Sequence, residues 1–222
     1  MRNERLCKVL GFINPNDKLA DVGCDHGYLA MMAIDKGVDF VQLIDNKNGP
    51  LASAKQNLKF YETKSKVVYS LSSGISNIEP CIDTVAICGM GGELISQIID
   101  ADYKKATEIN KFILQPNSKV SFLRDYLFTH GFNIIDEEIV FDMGKVYEIL
   151  VVKYEGENVN FNQKDVLFGP ILKQNKDPLF IEKWENKLKL CKTILHNLST
   201  EDEKYQVIQN EIKLIEEVLY ES

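Results

Sequence analysis

Lys18-Leu-Ala-Asp-Val-Gly-Cys-Asp-His-Gly-Tyr28 decides how the rest of the chain reads. Its first five residues, Lys18 to Val22, are a short apolar strand. Glycines at 23 and 27 make a turn, and a helix follows from Tyr28 to Lys36, with Leu29, Met32 and Ala33 as candidate buried positions. A loop after the first strand of such a unit lies at the C-terminal edge of a parallel sheet, where open α/β folds bind ligands. Gly23 lets the backbone approach a ligand closely. Taken alone, the same loop also suits a tight structural turn.

Outward from this segment, strands and helices alternate as far as Tyr154. Phe40–Ile44 is a second strand that stops at Asp45, and Lys66–Tyr69 a third. Thr84–Cys88 is a fourth, so uniformly apolar that both its faces should be covered. Phe112–Leu114 is a fifth, ended by Gln115-Pro116. Helices are expected over Leu51–Phe60, opened by Asn48-Gly-Pro50, over Glu93–Ile99, and over Val120–His130, closed by Gly131. Phe132–Phe141 and Val146–Lys153, joined by Asp142-Met-Gly-Lys145, have the pattern of an antiparallel hairpin. Five strands with helical crossovers and a closing hairpin predict a doubly wound sheet, mostly parallel, with one reversed edge strand. That order resembles the class I methyltransferase (Rossmann-like) fold.

Residues 155–222 read as a second unit beside the first, 1–154. Gly156–Gln163 has the composition of a linker. Ile181, Trp184, Leu188, Cys191, Leu195 and Leu198 then form one heptad seam, and Tyr205, Ile208, Ile212, Ile215 and Leu219 a second. Thr200 with Glu203 reads as a capping box for the second helix. The short connection favours an antiparallel helical hairpin, a coiled coil within one chain. A monomer is therefore expected, with homodimerisation through the seams as the other use of the pattern.

The 222 residues are 45% hydrophobic and 27% charged, the balance of a globular protein. The charged N-terminus has no signal-peptide core, and no apolar run reaches the length of a membrane span, so a cytoplasmic protein is expected. Five cysteines without C-x-x-C spacing and three scattered histidines predict neither a disulfide framework nor a metal site. Up to Tyr154 there are 17 basic and 20 acidic residues, and after it 9 and 13. With no basic arm, nucleic-acid contact would depend on local patches. Arg2, Arg5 and Lys8 could meet phosphates, but a solvated helix face is the expected place for all three.

Four segments carry chemistry. In the first loop Asp25 stands where G-x-G-x-x-G has its middle glycine, so a pyrophosphate would meet a carboxylate. A sulfonium cation with an amino-acid tail tolerates acidic neighbours far better. Asp45, at the end of strand two, suits both hydroxyls of a ribose, although an Asp there also caps turns. Ser72-Ser-Gly74 follows strand three, where an adenine loop would lie. Cys88-Gly-Met-Gly-Gly92 places three glycines in four residues beside the central crevice. The Asp/Asn-Pro-Pro-aromatic signature of amino-methyltransferases is absent. Leu114-Gln-Pro-Asn117 could offer amides to a base edge or make an ordinary turn.

Together, Ala20–Leu29, Asn48-Gly-Pro50 with Ser53-Ala54, Ile87–Ile95, Leu114–Asn117, Tyr147-Glu-Ile149 and Phe168-Gly-Pro170 resemble the bacterial tRNA (adenine-N1)-methyltransferases that modify adenine 22 of the D-arm. The resemblance spans nearly the whole chain. It implies S-adenosyl-L-methionine as cofactor, tRNA as partner, no metal, and a helical extension that meets the tRNA. On the cofactor it implies Asp21, Gly23, Cys24, Asp45, Asn46, Ser73, Gly74, Gly89, Met90 and Gly91. On the target base it implies Asp25 as acceptor from the N6 amino group, Tyr28 for stacking, and His26 as helper. Gln115, Pro116 and Asn117 follow as substrate-binding residues. The chain departs from the pattern at Cys24 and Gly27, where Ser and Ala are common, at Asp45, where Glu is usual, and at Ser73, where an Asp is frequent. A methyltransferase of another substrate and a non-catalytic binding module are the competing readings.

Overall fold

The computed structural model describes residues 3–156 and 159–220. Helix α1 (Glu4–Gly11) precedes β1 (Lys18–Val22). Then come α2 (Tyr28–Asp35), β2 (Phe40–Asp45), α3 (Asn48–Leu58), β3 (Lys66–Leu71), β4 (Thr84–Gly91), α4 (Gly92–Ala101), α5 (Tyr103–Ala106), β5 (Lys111–Ser118), α6 (Val120–Thr129), β6 (Phe132–Asp142) and β7 (Lys145–Tyr154). The strands form one sheet in the order β3-β2-β1-β4-β5-β7-β6. The first five are parallel, and β7 runs antiparallel to both β5 and β6. The reversed strand therefore lies inside the sheet. The hairpin folds back so that β7 pairs with β5 and leaves β6 at the edge.

Burial explains why the central strands read as continuous apolar runs. On one face Val22, Ile44, Ile87 and Leu114 pack against Ile95, Leu123 and Leu127 of α4 and α6. On the other, Leu19, Leu43, Ala86 and Ile113 pack against Val9, Leu29, Ala33 and Leu58 of α1, α2 and α3. Each fully buried Leu or Ile contributes about 1.5–3 kcal/mol. The sheet reverses direction of winding between β1 and β4, and that point opens a crevice at the carboxyl ends of both strands.

Strand β5 does not end at Gln115-Pro116 as the proline suggested; it continues to Ser118. Pro116 lies opposite Met90, where the β4–β5 register shifts, so its missing N–H breaks no regular rung.

The C-terminal part contains α7 (Gln163–Phe168), α8 (Leu172–Asn175), α9 (Pro178–His196) and α10 (Glu203–Tyr220). In the segment expected as a linker, residues 157 and 158 lie outside the described residues. Its end is a capping box: Asn162 accepts from the Lys164 and Asp165 N–H groups, and Asp165 accepts from the Asn162 N–H. Thr200 does not cap α10; the Asp202 carboxylate does, accepting from the Lys204 N–H at 2.8 Å. The heptad seams are met in part. Trp184, Leu188, Cys191, Ile212 and Ile215 are buried together, but Leu198 lies beyond the end of α9. The cluster is completed by Phe168 and Leu172 of α7 and α8 and by Ile139 of β6, so α9 packs on the sheet and α10 packs on α9.

A buried charged cluster fastens this packing. Arg124 of α6 donates to Glu137 at 3.0 and 2.7 Å and to Glu148 at 2.5 Å. Lys183 of α9 also reaches Glu148. The second oxygen of Glu137 accepts from the Ile171 and Leu172 N–H groups at 3.0 and 3.3 Å. Gly169 closes over the cluster with φ +88°, and a Cβ there would stand 2.5 Å from the Glu137 oxygens. This accounts for Phe168-Gly-Pro170: nothing larger than glycine fits between the helical turn and the ion pair.

Candidate active site

The loop after β1 is held under the end of β2, where the Gly23 N–H donates to the Ile44 carbonyl at 2.8 Å. Gly23 (φ 75°) and Asp25 (φ 48°) are both left-handed. At Gly23 a Cβ would collide with the Met90 methyl, so glycine is needed for both reasons. A cavity of about 520 Å³ occupies the crevice. It is walled by Asp21, Gly23, Cys24, Asp25 and Tyr28 on one side and by Cys88, Gly89, Met90 and Asn117 on the other. Asp45 and Asn46 bound it from β2, and Asn3, Arg5 and Leu6 from α1. A second cavity of about 390 Å³, lined by Ser72, Ser73, Gly74, Leu94 and Ile98, shares Gly23, Asp45, Asn46, Lys47 and Met90 with the first.

Three carboxylates face this space, and none meets a lysine or arginine within ion-pair distance among the described residues. Asp21 is 4% exposed and has no hydrogen-bond partner among the described residues. Burial, then the charges of Asp45 and Asp25, pushes its carboxyl up to about 7. Asp45 accepts from the Lys47 backbone N–H at 2.9 Å. Asp25 is exposed and lies 3.7 Å from His26 Nε2. Burial and the charge of Asp21 also raise the thiols of Cys24 and Cys88, which keeps both protonated at neutral pH. The site is thus a hollow in which three carboxylates converge.

The opposite wall is a lattice of amides. Arg5 Nη1 donates to Gln115 Oε1 at 2.8 Å and to Asn117 Oδ1 at 3.1 Å, and its guanidinium lies 5.2 Å from the Tyr147 ring centre. Gln115 Oε1 also accepts from the Gly89 N–H at 3.1 Å, and Asn117 Nδ2 donates to the Gly89 carbonyl at 2.6 Å. Gly89 is thereby gripped on both its backbone groups. Arg5 is not on a solvated face: the turn of α1 aims it inward, where the amide oxygens accept from it. Lys8 does lie outward and pairs with Glu138 at 2.8 Å. Arg2 lies outside the described residues.

The structure gathers most of the expected residues and disperses a few. Asp21, Gly23, Cys24, Asp25, Tyr28, Asp45, Asn46, Gly89, Met90 and Asn117 line the first cavity. Ser73 and Gly74 line the second. Gly91 lines neither and instead precedes α4 as its cap. Gln115 and Pro116 are buried, and Gln115 supports the Gly89 loop from beneath without facing the hollow. His26 points outward, with its ring centre 5.7 Å from that of Tyr28. Asn3, Arg5 and Leu6 were missed as wall residues. The only signal for them was the apolar face of α1, which says nothing about the place where that helix lands. Among the described residues no cluster of His, Cys, Asp or Glu could hold a metal, and no helix is long and apolar enough to cross a membrane.

A doubly wound sheet with its hollow at the first switch point, acidic and without a phosphate loop, defines an S-adenosylmethionine-type Rossmann domain. The structure of a protein in the NADB-Rossmann superfamily from Streptococcus agalactiae superposes with a TM-score of 0.90 at 36% identity, covering 99% of this chain and 97% of that one. The sequence model of the TrmK family, tRNA (adenine(22)-N(1))-methyltransferase, matches residues 19–217, and the chain belongs to that family. The tRNA (adenine(22)-N(1))-methyltransferase of Bacillus subtilis (strain 168) is 30% identical over 235 residues, covering 98% of this chain and 96% of that protein. TrmK of M. capricolum, solved with its natural cofactor product S-adenosyl-homocysteine, superposes with a TM-score of 0.85 at 28% identity, covering 99% of this chain and 98% of that one.

The residues present fit S-adenosylmethionine. The partnerless Asp21 carboxylate suits the cofactor's ammonium group. Asp45, at the junction of the two cavities, suits the ribose hydroxyls. The second cavity, with Leu94 and Ile98 facing Ser73 and Gly74, suits a flat purine.

Proposed function

We propose that this protein methylates N1 of adenine 22 in the D-arm of tRNA, using S-adenosylmethionine. The observation that carries the reading is the pairing of two environments in one hollow. A buried, unpartnered Asp21 lies on the cofactor side, and the exposed pair Asp25 and Tyr28 lies at the mouth.

The cofactor supplies an electrophilic methyl group on a sulfonium sulfur. The N1 lone pair of neutral adenine is available at neutral pH, so no general base is needed. The protein's task is placement, which lowers such barriers by several kcal/mol. Asp21 holds the amino-acid end, Asp45 the ribose, and Ser73 with Gly74 the adenine of the cofactor. Tyr28, at the first turn of α2 and 55% exposed, offers a ring face to a base drawn out of its stack. Asp25 accepts from the N6 amino group of the target, which becomes more acidic as positive charge develops on the purine. His26, beside Asp25, restrains that carboxylate. Asn117 and Gln115 act through Gly89, whose backbone they fix at the wall facing the methyl group.

We further propose that residues 155–222 form the unit that meets the tRNA, that the protein works as a monomer, and that it works in the cytoplasm with its substrate. Packing of α9 on β6, with α10 held against α9, supports a platform of fixed orientation.

The test is incorporation of labelled methyl groups into a tRNA transcript and into the same transcript with guanine at position 22. Methylation of the first alone is expected. Incorporation into protein or small molecules with none into tRNA would overturn the reading.

A further inference from the structure

The β6–β7 hairpin ends in a two-residue turn, Met143-Gly144, with both residues left-handed (φ 48° and 80°). Such turns favour Asn or Asp before Gly, because an unbranched apolar side chain gains nothing at positive φ. Met143 nevertheless stands there and is 83% exposed, and its neighbour Phe141 is 57% exposed. Neither side chain stabilises the fold in that position. Both line a groove of about 1080 Å³, the largest hollow described, between this hairpin, α1 and α2. Leu6, Leu10, Met31 and Met32 make its apolar walls. The groove runs into the active-site hollow, with which it shares Asn3, Leu6 and Tyr28.

We propose that the Phe141–Met143 tip is a wedge that enters the base stack of the tRNA D-arm as adenine 22 leaves it, and that the groove seats the nucleobases next to the target. This rests on the tRNA methyltransferase reading. Adenine N1 lies on the pairing edge, so the base must be unpaired and unstacked before it can react. Proteins that unstack a base step commonly insert Phe, Leu, Ile or Met into the gap. Its lining includes no lysine or arginine to hold a phosphate but does include Glu4, Asp142 and Asp35, the last paired to Lys64, so it is the bases and not the backbone that it fits. Tyr28, on the shared edge, would then receive the target on one side while the wedge fills its place on the other.

The test uses full-length enzyme, S-adenosylhomocysteine and a tRNA transcript carrying 2-aminopurine at position 22, whose fluorescence rises when it unstacks. Met143→Asn suits the left-handed position, so its thermal midpoint should equal or exceed that of the wild type. Combined with Phe141→Ser, it should abolish most of the fluorescence rise and lower kcat/KM on tRNA roughly tenfold. The Kd for S-adenosylhomocysteine should stay unchanged. A transcript lacking the base opposite position 22 should restore the variant to near wild-type kcat/KM. Retained fluorescence and kcat/KM in the variant, or an equal defect on the unpaired transcript, would overturn the wedge. So would a dimer in light scattering that Met143→Asn dissolves, because the groove would then belong to a second copy. Wild-type enzyme that methylates no tRNA would instead overturn the activity reading beneath it.

Discussion

Two groups of charged side chains in this protein have opposite designs. In the crevice, Asp21, Asp25 and Asp45 face one another with no lysine or arginine among the described residues paired to any of them. Beside α8, Arg124 and Lys183 meet Glu137 and Glu148, two charges of each sign, and backbone N–H groups take up the remaining oxygen. The first group crowds like charges together, which is a property of a site that binds a cationic group. The second is satisfied within the chain, which is a property of a fastener. The difference lies in what is left unpaired, since both groups are rich in acid.

Arg124→Met gives the largest expected effect. It leaves two buried carboxylates with one lysine between them, which should cost about 3–5 kcal/mol and on the order of 10 °C in thermal midpoint. Replacing Glu137 and Glu148 by leucine in the same variant should recover part of that loss. If Arg124→Met unfolds at the wild-type temperature, the fastener has no such role. Glu148 and Asp21 also differ in pH response, whereas burial raises Glu137 as it raises Asp21. Burial alone would raise Glu148, but Arg124 and Lys183 outweigh it and hold its carboxyl below the ordinary range. Its contribution is therefore complete above the ordinary glutamate range and is lost as pH falls through it.

Asp21 has the opposite sign. Its native carboxyl titrates near 7 against 3.8 ordinarily, so between those values the folded state binds more protons and apo stability falls as pH rises. A cationic ligand needs the ionised form. Cofactor affinity by calorimetry should thus rise roughly tenfold from pH 6 to 8 and then level off. Asp21→Asn should weaken binding at pH 8 by roughly thirtyfold, about 2 kcal/mol, and flatten the pH profile. An unchanged slope in that variant would remove Asp21 from the cofactor's cationic end.

Smaller effects separate the glycines of the two regions. Gly169→Ala forces a Cβ against Glu137 and Arg124 at positive φ and should cost roughly 2 kcal/mol in denaturant unfolding. Gly23→Ala meets only the end of the flexible Met90 side chain, so its stability cost should be about 1 kcal/mol. The displaced Met90 should instead fill the junction of the two cavities and weaken cofactor binding. A Gly23→Ala protein that binds normally would mean that Met90 swings clear.

Much of the fold could be read from periodicity. The strand Lys18–Val22 and the closing hairpin were legible because burial on both faces, or on alternating faces, writes itself directly into residue order. The exceptions share one cause, which is contact across long stretches of sequence. Strand β5 runs through Pro116 because a bulge in β4, 26 residues earlier, leaves the rung unneeded. Arg5 looked like a solvated cation until α1 placed it 2.8 Å from Gln115, 110 residues away. The capping of α7 was hidden in polar residues with the composition of a linker.

By itself the sequence determined the order of elements, the acidic loop from Asp21 to Tyr28 and the family to which the chain belongs. These are local properties, set by side-chain spacing and by which residue types can occupy a turn. The tertiary structure alone decided that Asp21 has no partner among the described residues, that Gln115 and Asn117 grip Gly89, and that an exposed methionine lines a groove adjoining the site. Each of these depends on which distant groups are absent or present within a few ångströms, and no local pattern encodes that.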